Sequence, residues 1–91
     1  MNNQKLIVES LAMDLKRVSL GLYRGSNVMA ERFKEESLKR SNELESENLD
    51  SYLMFLILKM KEALAGDKEY IADDLLMYST LFQNYALTKM V

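Results

Sequence analysis

Over residues 3–24 the apolar positions Ile7, Leu11, Leu15, Val18 and Leu22 recur every three or four residues, which puts them on one face of a helix. Leu6, Val8 and Leu20 widen that face, while Glu9, Lys16 and Arg17 lie away from it. The pattern predicts an amphipathic helix with little ambiguity. The segment Arg24-Gly25-Ser26-Asn27 supports two readings. Gly25 can end the helix as a left-handed residue, with Ser26 or Asn27 capping the next one. Yet the apolar phase runs on through Leu22, Met29, Phe33, Ser37 and Leu44, as it would in one helix over residues 5–46. In that second reading Gly21 and Gly25 are small residues where another helix crosses closely.

Residues 27–46 are the most polar part of the chain. Phe33, Leu38 and Leu44 are the large apolar groups after Met29, and Glu35–Lys39 and Glu36–Arg40 stand at the i,i+4 spacing that supports an exposed helix. The acidic stretch 45–51 reads as the main connection, with Ser46, Asn48 or Asp50 available as the next N-cap. The third helix, about residues 49–64, is different in kind. Residues 52–58, YLMFLIL, are apolar all round, and such a helix is normally buried on several sides. In a chain of 91 residues it is expected either to be the central element or to meet another subunit. Gly66 and Asp67 read as its C′ residue and the following N-cap. The last helix, about 68–89, carries a stripe of Ile71, Leu75, Tyr78, Phe82 and Tyr85, broadened by Leu76, Met77, Leu81 and Leu87.

These elements predict an all-α single domain over residues 1–91. The expected architecture is a three- or four-helix bundle, completed or extended by homo-oligomerisation. Composition sharpens this. The chain has no proline and three glycines, so little interrupts its helices. A chain this short buries only about 60–65% of its unfolded surface, so two helices with wide apolar faces exceed what one thin core needs. The longest apolar run is far below the about 20 residues of a membrane span. Charges at Glu9, Asp14, Lys16 and Arg17 interrupt any apolar leader. The expected location is the cytoplasm, in keeping with the absence of cysteine.

The chemistry available is narrow. With no cysteine and no histidine, neither a Ser–His nor a Cys–His nucleophile can be built. The carboxylates Glu43, Glu45, Glu47 and Asp50 cluster, but a calcium loop needs a central glycine, and none lies between Gly25 and Gly66. Helical di-metal sites add Glu-x-x-His motifs, which this chain lacks. No metal, cofactor or catalytic residue is therefore expected; the nearest approach to a catalytic pair is Asp74 beside Tyr78.

Two surfaces remain as candidates. Aromatic and methionine side chains concentrate in the second half, and both suit interfaces. The expected contacts are Tyr52, Met54, Phe55, Tyr78, Phe82 and Tyr85, serving a non-enzymatic adaptor or regulator that binds itself and another protein through an apolar helical face. The alternative is a nucleic-acid-binding regulator using Lys16, Arg17 and Arg24. A pI near 5.1 and the acids Glu31, Glu35 and Glu36 weigh against it. Charge is unevenly divided: residues 1–40 carry a net +3 and residues 41–91 a net −5, which favours pairing of the two halves within a chain or between chains.

Overall fold

One backbone angle decides between the two readings of residues 24–27. In the computed structural model, which describes residues 3–66 and 68–90 (the side chains of 68–70 excepted), Gly25 has a φ of 71°. That is the left-handed region, open to glycine without a Cβ penalty. The chain turns there. Gly25 N–H donates to the Leu22 carbonyl at 3.2 Å and Ser26 N–H to the Gly21 carbonyl at 2.8 Å, the paired bonds of a Schellman motif. Ser26 then caps the next helix, accepting from Met29 N–H at 3.2 Å.

Among the described residues the protein is all-helical, with four helices: α1 (Asn3–Tyr23), α2 (Asn27–Glu45), α3 (Ser51–Leu64) and α4 (Lys68–Lys89). Of the three cap candidates before α3, Asp50 is the one used; its carboxylate accepts from Leu53 N–H at 2.8 Å. Gly66 is not a left-handed C′ residue, since Gly25 is the sole positive-φ residue among those described. Instead α3 ends through Ala65, and Gly66 N–H bonds the Ala63 carbonyl at 3.0 Å. The proposed cap at Asp67 lies outside the described residues.

The central element is α1, not α3. It packs against α2 on one side and α4 on the other, while α3 rests on α4 and on the end of α2. Both neighbours run antiparallel to α1. Asp14 faces Arg40 and Gly21 faces Ala30, so numbers fall along α2 as they rise along α1. On the other side, Ser19 Oγ donates to the Ala72 carbonyl at 2.8 Å and Ser79 Oγ to the Ala12 carbonyl at 2.6 Å. These four positions are all buried. Each pair is seven residues apart, so the small side chains recur on one seam of each helix. Small side chains let two backbones approach. The hydroxyls, buried at that distance, are satisfied by the opposite helix, as burial of a polar group requires. On α2 the buried Ser37 and Ser41 bond carbonyls of their own helix, Phe33 and Leu38.

The core joins Val8, Leu11, Leu15 and Val18 of α1 to Leu44, Leu53, Ile57, Met60, Leu75 and Phe82. Leu6 and Leu20, expected to widen the apolar face of α1, are exposed instead. Helical phase explains it: they share a side with Met13, every seventh residue, away from both packed neighbours. The i,i+4 pairs expected on α2 are also replaced. Lys39 pairs with Glu36 at 3.7 Å, and Arg40 turns to Asp14 and Glu43.

Gly21 is the tightest point of the α1–α2 corner. A Cβ there would stand 2.9 Å from the Ala30 backbone nitrogen. In an open helix Gly→Ala gains up to about 1 kcal/mol, but overpacking against backbone costs about 1–3 kcal/mol. Gly21→Ala is expected to lower stability by about 1 kcal/mol in urea unfolding; equal or greater stability would contradict the close approach.

Candidate interaction surface

Because α1 occupies the centre, α3 has one face covered and one bare. Leu53, Leu56, Ile57, Met60 and Leu64 are buried. Between them, on the outer side, Tyr52, Met54, Phe55 and Leu58 are 49–58% exposed. The total accessible surface, 5685 Å², is close to the about 5,500 Å² usual for a monomer of this mass. The bare face is therefore no consequence of loose packing. It is apolar composition placed on the surface, the kind of patch that marks an interaction site.

The face is concave at its N-terminal end. A groove of about 530 Å³ is lined by Glu45, Glu47, Leu49, Ser51, Met54, Phe55, Ile57 and Leu58. Most of its lining is apolar, and two glutamates, from the end of α2 and from the connection, contribute to it. Glu45 is held by Lys61 at 2.5 Å. Glu47 makes no ion pair among the described residues. Lys59 sits 5.7 Å from the centre of the Phe55 ring, a cation–π distance, which steadies the ring where it protrudes.

The six sequence-selected residues separate into three groups. Tyr52, Met54 and Phe55 form the exposed face. Tyr78 is half-buried and, with Asp74, Lys59 and Glu62, lines a separate open depression. Phe82 is 0% exposed and Tyr85 is buried beside it in the core. They serve folding. Tyr85 stacks on Tyr52 with ring centres 5.9 Å apart, and its hydroxyl donates to the Asp50 cap carboxylate. Burial, then that hydrogen bond, pushes the Tyr85 hydroxyl up to about 12. The same hydrogen bond, aided by the Leu53 N–H, holds Asp50 below the usual carboxylate value. Leu58, exposed beside Phe55, was not among the selected residues. Asp74 and Tyr78 line the separate depression together and share no hydrogen bond among the described residues.

The three basic residues are also divided. Lys16 and Arg24 are exposed and make no ion pair among the described residues. Arg17 pairs with Asp14 at 3.6 Å and lies over the Phe33 ring at 5.3 Å. Sequence reading passed over Asp14 itself. It is 6% exposed, sitting three residues after Leu11 and four before Val18, inside the apolar phase. That phase was the available signal. Its Oδ2 faces Arg40 Nε at 3.8 Å, too far for a hydrogen bond, and neither atom has another partner. Desolvation raises the Asp14 carboxyl above its ordinary value, against the pull of Arg40 and Arg17. Among the described residues, no group of three His, Cys, Asp or Glu is placed to hold a metal, and no helix is long and apolar enough to cross a membrane.

Comparison with protein-family models, curated proteins and solved structures found no match to this chain.

A folded-state value raised above 3.8 means that Asp14 favours folding most when protonated; that stability is lost as pH rises through the folded value. Asp14→Asn cannot ionise. The difference in unfolding free energy, variant minus wild type, is therefore expected to grow in favour of the variant between pH 3.5 and 7, read by urea unfolding at each pH. A flat or falling difference would contradict the net desolvation of this carboxyl.

Proposed function

We propose that this chain is a non-enzymatic helical interaction protein, an adaptor or regulator, that associates with itself and with a protein partner through the outer face of α3. The single observation supporting the reading is that face: Tyr52, Met54, Phe55 and Leu58 stand about half exposed on a helix whose other side is core. Covering the exposed half of one such large apolar side chain is worth about 0.8–1.5 kcal/mol. A row of them beside a groove suits helix-in-groove recognition, in which apolar anchors at i, i+3, i+4 and i+7 carry the binding. In this reading the four helices form a bundle that association completes.

The nucleic-acid reading has less support. Arg17 is already engaged by Asp14 and Phe33, which leaves Lys16 on α1 and Arg24 in the turn after it as the candidates without an ion pair among the described residues.

Phe55 is the residue to test, because it is exposed and its loss should spare the core. The mass of wild type by light scattering is expected to rise with concentration. Phe55→Glu is expected to stay monomeric with unchanged helical circular dichroism. Unchanged mass in folded Phe55→Glu, or a wild type that is monomeric at every concentration, would contradict self-association through α3. Phe82→Glu is not an equivalent test, since it places a charge in the core.

A further inference from the structure

The chain has a second bare apolar row, flanked by cations that lack an ion pair among the described residues. Leu6, Met13 and Leu20 of α1 recur every seven residues and are 36–51% exposed. Seven residues of helix advance about 10.5 Å, so the three side chains form a straight ridge of two such steps. Lys16 lies three residues after Met13 and four before Leu20, and Arg24 lies four after Leu20, so both flank the ridge. Both are exposed. Arg17, paired with the buried Asp14, borders the ridge, and Glu9 is an acid on the exposed side that lines the same depression as Leu6 and Met13. The α3 groove is lined by apolar side chains with Glu45 and Glu47; Lys61 holds Glu45 and Lys59 stands over Phe55, so Glu47 is the acid of the lining without an ion pair among the described residues.

We infer that the α3 groove of one copy receives the Leu6–Met13–Leu20 ridge of the next copy, so that the chain assembles head to tail. This rests on the self-association proposed above and specifies its occupant and geometry. The argument is charge complementarity over two apolar surfaces. Pairing groove with groove would set Glu47 near its own counterpart, and pairing ridge with ridge would do the same to Lys16 and Arg24. Groove with ridge sets Glu47, which lacks an ion pair among the described residues, near cations that also lack one. Like charges brought together cost affinity and opposite charges select register. The division of net charge, +3 in residues 1–40 and −5 in residues 41–91, has the same sense. A contact between two different surfaces leaves one of each free at the ends, so assembly continues into a ring or filament and does not stop at a dimer.

Mixing tests this directly. Met13→Glu removes the ridge and Phe55→Glu removes the groove; both residues are about half exposed, and circular dichroism checks that each variant folds. Each is expected to weaken association by about 30-fold or more and to run as a monomer alone. An equimolar mixture is expected to form a one-to-one dimer, because each variant keeps the surface that the other lacks. Wild type is expected to exceed dimer mass and to lose association as salt is raised. Lys16→Glu, which leaves the apolar row intact, is expected to weaken association about two- to fivefold. A Met13→Glu variant that assembles like wild type, while Phe55→Glu does not, would overturn the head-to-tail inference and leave the α3 reading standing. Two monomeric variants that fail to recombine would also overturn it. A wild type monomeric throughout would overturn both.

Discussion

The close approach of α1 to α4 is the constraint that sets the rest of the arrangement. Ser19 and Ser79 each donate across the seam to a backbone carbonyl of the other helix, those of Ala72 and Ala12 respectively. Larger side chains at these four positions would hold the helices apart. With α4 drawn onto one side and α2 held on another by the tight turn at Gly25 and the Gly21–Ala30 approach, α1 is the shared element. A chain of this length has one thin core, and α1 fills its middle. The most apolar segment, α3, is left at the edge with one face covered. The bare α3 face is thus a consequence of which helix the small residues place at the centre.

That consequence explains what was legible in the sequence. The all-α class, and the helix limits to within about two residues once the turn at Gly25 is granted, came from the 3.6-residue periodicity and the caps, because those are local properties, whereas the number of helices stayed at three or four. The centre of the fold was not legible. Hydrophobicity points to residues 52–58, whereas the deciding signal is a pair of alanines and a pair of serines at seven-residue spacing. Those residues add little to an apolar pattern, and their meaning depends on which helix lies opposite. The turn at Gly25 was open for a related reason: the apolar phase of α1 continues into α2, so periodicity alone could not separate a break from one long helix.

The candidate surface was legible in part. Apolar excess in α3 directed attention to Tyr52, Met54 and Phe55, which are exposed, and aromatic type alone brought in Phe82 and Tyr85, which the structure places in the core. Residue type does not say which side of a helix faces the neighbour. Leu6 and Leu20 were a different case: their helical phase, shared with Met13, already sets them opposite the Leu11–Leu15–Val18 stripe. Asp14 shows the reverse. It sits in the apolar phase and is buried at a net electrostatic cost, with Arg17 and Arg40 gathered around it, a grouping that joins α1 to α2 and is not encoded locally.

The central claim is that α1 is buried on two sides while α3 is peripheral and gains cover from association. Amide hydrogen exchange, measured on one sample at high dilution and again at high concentration, tests it most directly. Residues 8–21 are expected to exchange slowest under both conditions, and residues 52–58 to exchange faster on dilution and to slow markedly on concentration. If residues 52–58 match the protection of residues 8–21 at high dilution, α3 is the buried element and the account fails.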